Sequence, residues 1–175
     1  LITIGTSLSS LYYVMLKLVR DEETTVTRNY FKAFKQNFLQ SLPVTMILLV
    51  ITGILAADFH ILGQSDSQNA SVIYGCCIVI LLAAAAVFSY VFPLMARYQN
   101  TTRKIFENAA RLAASHLWQT IVMTAVNLLP LGWFLISAET FAAIFWIWIF
   151  AGMGIQAFIN SLIIRKIFDR LEAEK

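Results

Sequence analysis

The sequence predicts an all-α, polytopic integral membrane helical bundle, and three observations carry the prediction. Hydrophobic residues make up 59% of the chain and charged residues 13%, with a mean hydropathy of +0.72, whereas a soluble domain carries about 25% charged residues. No Asp, Glu, Lys or Arg occurs in 36–57, 67–96, 112–138 or 140–164, and each interval is long enough for the roughly 20 residues that cross a ~30 Å hydrocarbon core. All thirteen Lys and Arg residues fall in three places, 17–35, 97–111 and 165–175.

Helices are favoured over a barrel because spanning strands alternate apolar and polar residues, and the run IVILLAAAAV from Ile78 to Val87 does not. Lys and Arg are retained on the cytoplasmic side during insertion. Crossing the spans in order puts all three basic clusters on that side and leaves Asp58, Asp66 and Glu139 on the other. The net charge of +3 is thereby explained as inside-positive bias, without nucleic acid as a partner. Cys76 and Cys77 are adjacent within a span, where consecutive helical side chains diverge, so no disulfide between them is expected.

Residues 1–20 read as the second half of a span whose start lies upstream, closed by Lys17 and Arg20 at its cytoplasmic end, and the native protein is expected to be longer at its N-terminus. After a polar elbow the pattern from Arg28 becomes amphipathic, predicting an interfacial helix that turns near Pro43 into a span over 39–60. The next span, 71–96, returns inward. A second elbow and amphipathic stretch, 103–116, lead to an outward span over 116–137. A tight loop at 137–140 precedes the last inward span, 140–164, and a cytoplasmic C-terminus. The whole chain, 1–175, is read as one transmembrane domain, with about five spans in the native protein. Trp133 and Trp118 suit the two interfaces, and Trp146 and Trp148 lie deeper, where they are expected to pack. Asn69-Ala70-Ser71 forms a glycosylation sequon on the outer side.

The two elbows resemble one another. Tyr13-Val14 and Arg20 precede the first at the spacing at which Tyr90-Val91 and Arg97 precede the second, and Thr27-Arg28 stands to Phe31 as Thr102-Arg103 stands to Phe106. A repeat of this kind makes two parallel units, a symmetry known in transporters.

Polar residues inside spans are the candidate site, because burying them in lipid is costly without partners. They are Gln119, Asn127, Gln156 and Asn160. A tight hairpin puts Gln119 opposite Asn160 and Asn127 opposite Gly152, either as interhelical hydrogen bonds or as the lining of a solute path. Pro130 frees the carbonyl of Val126, which then needs another donor. A second candidate is the cytoplasmic surface formed by Phe31, Phe34, Phe38, Lys32 and Lys35, with Arg103, Lys104 and Phe106 at the matching place in the second elbow. It reads as a rest on anionic lipid, a docking face or a gate. No metal set, cofactor motif or Walker A sequence is present, so the chain reads as non-catalytic.

The run TIGTSLSSLYYVMLKLVRDEE, followed by FKAFKQNF, closely resembles the N-terminal signature of the YesL-like family, bacterial integral membrane proteins of unknown function. The resemblance extends more loosely through Phe106-Glu107-Asn108-Ala109 and Asn127-Leu128-Leu129-Pro130. It implies a bacterial plasma-membrane protein with an accessory or assembly role in carbohydrate ABC transport, with ABC permease and ATPase subunits as candidate partners; membrane lipid and a second copy of the chain are further candidates. Glu107-Asn108-Ala109-Ala110, with Leu129-Pro130 downstream, is also loosely similar to the ATPase-coupling loop of ABC permeases, at longer spacing and without its glycine. A small transporter or channel is the alternative, and a membrane-embedded enzyme comes third.

Overall fold

Long apolar runs in lipid must satisfy their own backbone hydrogen bonds, and this chain does so with helices. The computed structural model describes residues 3–22, 25–64 and 70–173, with every side chain among them except that of Leu171. In order, these residues form α1 (Ile4–Val19), α2 (Val26–Gly63), α3 (Ala70–Arg97), α4 (Thr102–Ser115), α5 (Leu117–Ile136), α6 (Ala138–Ile147), a π-helical turn (Trp148–Gly152) and α7 (Met153–Ala173). There is no strand among the described residues. Four stretches are long and apolar enough to cross a membrane: α2, α3, α5, and Ala138–Arg170 from α6 into α7. The molecule is therefore an all-α, multi-pass membrane protein. Asn69 of the sequon lies outside the described residues.

The end of α1 explains the first elbow. Asp21 adopts a left-handed conformation, φ 56°, and its N–H donates to the Leu18 carbonyl while that of Glu22 reaches back to Lys17, both at 3.2 Å. This is the double closure that satisfies the last carbonyls of a helix, with Asp standing where Gly is commonest. Arg165 adds a cation there by donating to the Val19 carbonyl, favourable at the negative end of a helix.

Beyond this elbow the structure departs from the expectation of a separate interfacial helix. Val26 to Gly63 is one helix of 38 residues that runs through Pro43, about 57 Å at 1.5 Å per residue. Pro43 removes a single hydrogen bond, that to the Leu39 carbonyl, and nearby the Ser41 and Thr45 hydroxyls donate to the carbonyls of Phe38 (2.9 Å) and Ser41 (2.7 Å). The break falls in the second elbow instead, at His116, between α4 and α5. Thr120 stitches that break: its hydroxyl lies 3.0 Å from the carbonyl of Ala113 and 2.9 Å from the Tyr90 hydroxyl.

The ends of α1, α3 and α7 meet at one face of the bundle. Arg20 reaches Asp169 at 2.9 Å and Arg97 reaches Glu172 at 2.6 Å, and Gln40 of α2 donates to the Asn100 carbonyl of the second elbow. All three basic clusters thus share one end of the molecule, called here the basic end. The buried core sits in the same half, around Leu16, Tyr90, Met95, Ile105, Ile164 and Phe168. Towards the opposite end the helices present apolar side chains outward, and α6 buries none. Trp146 belongs to that outward surface, 67% exposed, so its expected packing is not found; it lies in α6, which among the described residues packs mainly on α5 and its own continuation. Trp148 does pack, against Gly152 one turn on, where a Cβ would strike its ring.

Candidate functional site

Two polar constellations lie inside the bundle. The first is a seam between α1 and α2, where Gly5, Thr6, Ser9 and Ser10 face Asn37, Ser41 and Thr45, all buried. Small residues let the two backbones approach. A Cβ on Gly5 would collide with the Thr45 hydroxyl. The polar groups close on one another: Asn37 donates to Ser9 at 3.0 Å, the Thr6 and Ser41 hydroxyls pair directly, and Ser10 donates to the Thr6 carbonyl at 2.7 Å.

The second constellation joins four helices. Asn160 of α7, fully buried, donates to the Tyr12 hydroxyl of α1 at 3.0 Å and to the side-chain oxygen of Asn127 on α5 at 2.7 Å. Asn127 in turn donates to the Ser89 hydroxyl of α3 at 2.8 Å. One step away, the Gln156 amide donates to the Val126 carbonyl, the acceptor that Pro130 leaves without its helical partner. Beside this cluster is a cavity of about 310 Å³ lined by Tyr12, Ser89, Asn127 and Gln156, with Phe88 and Phe92 among its apolar walls.

Three of the four residues singled out in the sequence therefore come together, and the fourth does not. Gln119 makes no side-chain hydrogen bond among the described residues, and Asn160 pairs with Asn127 instead. Asn127 likewise faces Asn160 and Ser89 rather than Gly152. The hairpin slips out of register: next to the turn Trp133 meets Thr140 at 3.1 Å, but deeper in Val126 meets Gln156. A π-helical turn puts an extra residue into the returning arm, and α6 stands away from the core, so more of that arm is used before it reaches a given depth.

Tyr12 and Ser89 were missed, although a signal existed. Tyr13 and Tyr90 already align in the repeat, and the residues just before them are Tyr12 and Ser89. The same alignment pairs Arg20 with Arg97, and both reach Glu172, at 3.7 Å and 2.6 Å. Tyr98 also donates to that carboxylate at 2.9 Å. Hydrogen bonds from Arg97 and then Tyr98 hold the Glu172 carboxyl below its ordinary value of 4.5. The repeat thus delivers two arginines to one acid and two polar groups to one cluster.

The elbow surface is only partly exposed. Phe31 is 59% exposed, with Lys32 and Lys35 exposed beside it, whereas Phe34 is half-covered in a ladder between Tyr30 (6.3 Å) and Phe38 (6.0 Å). In the second elbow Arg103 pairs with Glu107 at 2.8 Å and Lys104 is exposed. Phe106 turns inward, edge-on to Phe88 at 5.6 Å, because it falls next to the apolar stripe of Ile105, Ala109 and Leu112 that packs α4 on α3.

Residues 1–59 match the model of a family described as a protein of unknown function, DUF624, to which the YesL-like proteins belong. The match spans α1, its elbow and α2 up to Phe59, and so contains the whole small-residue seam. No curated protein and no solved structure matches the chain.

Proposed function

From a match that ties α1 and α2 to a family without an assigned activity, we propose that this chain is a non-catalytic accessory or assembly subunit of a carbohydrate ABC transport system, in the bacterial plasma membrane with its basic end and C-terminus cytoplasmic. The observation that carries the reading is the first elbow. Phe31, Lys32 and Lys35 stand exposed on a helix that continues without a break into a membrane span, a rigid base for aromatic side chains of the kind that dominate interfaces. Tyr12, Ser89, Asn127, Gln156 and Asn160 supply hydrogen bonds but neither an acid nor a base that titrates near neutrality, which supports a role without chemistry. Orientation is supported by the gathering of all three basic clusters at one end.

Co-purification from native membranes tests the docking role. Phe31→Ala, in a protein that still inserts and melts normally, is expected to lose stoichiometric permease or ATPase subunits, while Lys32→Gln with Lys35→Gln retains them. Retention in Phe31→Ala and loss of anionic-lipid contact in the lysine variants, by roughly 1 kcal/mol per charge, would assign the surface to lipid. A second reading, a small transporter in its own right, is favoured by the cavity against Asn127 and Gln156. Solute flux through the purified protein in liposomes separates it from the first.

A further inference from the structure

We infer that the cavity beside the Asn127–Asn160 cluster is a binding site for a small uncharged polyol. The inference goes beyond docking and holds whether the protein moves the solute itself or reports its presence to a partner.

Depth is the first observation. Tyr12 and Ser89 each stand eight positions before the arginines that end their helices, Arg20 and Arg97, which puts them about 12 Å from the basic end, close to the middle of a ~30 Å hydrocarbon core. Solute sites of transporters with internal repeats sit at that depth, between the repeats and against interrupted helices. Here α1 and α3, the two repeat-related helices, contribute Tyr12 and Ser89. The other walls come from Leu48 of α2, from α5, where Pro130 frees the Val126 carbonyl without ending the helix, and from the start of α7, immediately after the π-helical turn.

Unused hydrogen-bonding capacity is the second. The side-chain oxygen of Asn160 is buried without a partner. The Tyr12 hydroxyl accepts from Asn160, which leaves its own proton to give, and the Gln156 amide donates to Val126, which leaves its oxygen to accept. Two of these three residues line the cavity. Asn160 does not line it, so the capacity that a solute in that space could use is the Tyr12 proton and the Gln156 oxygen.

The lining sets the ligand's class. It contains no Asp, Glu, Lys, Arg or His, so a charged solute would be stripped of water without a counter-charge. Phe88 and Phe92, ring centroids 6.2 Å apart and tilted by 34°, form an apolar wall, and Tyr12, Ser89, Asn127 and Gln156 supply donors and acceptors. That combination suits a molecule with C–H surface and hydroxyl groups. The volume of about 310 Å³ equals about ten waters at their liquid volume, room for a solute of similar heavy-atom count.

The test uses the chain in lipid nanodiscs with Cys76 and Cys77 replaced by Ala and a single thiol introduced by Met153→Cys, a position on the cavity wall. Modification of that thiol by a small neutral maleimide is followed with glycerol, xylitol or myo-inositol present, and with xylonate as the charged counterpart of xylitol. At least one neutral polyol is expected to slow modification fivefold or more at saturation, and xylonate is expected to have no effect. Gln156→Leu should weaken protection at least tenfold. Ala85→Phe, which fills the cavity and removes no polar group, should abolish protection with the melting temperature kept, so the result does not depend on whether Gln156→Leu folds. Absence of protection by all three polyols, equal protection by xylonate, or protection persisting in Ala85→Phe would each overturn the assignment. The first of these outcomes would mark the cavity as space for lipid chains.

Discussion

The α1–α2 seam and the Tyr12–Asn160–Asn127–Ser89 cluster are built from the same kind of residue at a similar remove from water, yet they do opposite things with it. In the seam, glycine and short hydroxyls bring two helices close, and the polar groups are used up between those two helices. In the cluster, amide, phenol and hydroxyl side chains link four helices, keep spare hydrogen-bonding capacity, and stand beside a cavity. The number of helices joined and the capacity left over therefore separate intramembrane adhesive from intramembrane site. Polarity alone does not.

The comparison is broken most severely at Gly5. Gly5→Leu is expected to prevent α1 from seating on α2, costing about 3 kcal/mol in a detergent unfolding titration. Gly5→Ala should cost less, and Thr45→Ala should recover part of it by removing the hydroxyl in the way. Asn160→Leu comes next, at about 1–2 kcal/mol, because Tyr12 and Asn127 both lose their donor. Combined with Asn127→Leu the two losses should fall short of additive by about 0.5 kcal/mol or more, and combined with Gln119→Leu they should simply add. Additivity in the first cycle with coupling in the second would restore the pairing expected from the sequence. A smaller effect belongs to Glu172→Gln, under about 1 kcal/mol, since the acid is exposed and salt screens it. Its pH dependence has a definite sign. The folded-state carboxyl titrates below its ordinary value of 4.5, so its stabilisation is complete above that pH and is lost as pH falls through the lower folded value. Wild type and Glu172→Gln should therefore converge in acid and separate towards neutrality. Gln119→Leu alone should change stability by no more than about 0.5 kcal/mol.

The four stretches long and apolar enough to cross a membrane were legible because charge-free length is a one-dimensional property. So was the need of the Val126 carbonyl for a donor, since Pro130 creates it locally. The identity of that donor, Gln156, was not, nor was the Asn160 pairing. Both depend on a register set by the π-helical turn, and no residue in WIFAG announces one. The unbroken α2 was misread because Pro43 is a strong local signal, although a proline removes only one of the hydrogen bonds of a 38-residue helix. The seam itself was readable in principle: Gly5 and Ser9, and Asn37, Ser41 and Thr45, recur every fourth residue, a spacing that marks close helix contact in membranes. Small residues such as Gly5, Ser9, Ser41 and Thr45 carry no charge or amide to mark them, and Asn37 falls just before the expected span over 39–60.

The π-helical turn at Trp148–Gly152 also decides which way the rest of α7 looks. One residue more in a helix turns everything after it by about 100°. Gln156 and Asn160 owe their inward azimuth to that single insertion, and the side chains before it, Trp146 and Ile147 among them, keep an outward one. Deleting Ala151 would leave composition, hydropathy and span length almost untouched, yet it would swing both amides off the cluster and bring neighbouring apolar side chains around in their place. The polar centre is thus keyed by phase as much as by residue type, and two chains of nearly identical hydropathy profile can differ in whether they possess it.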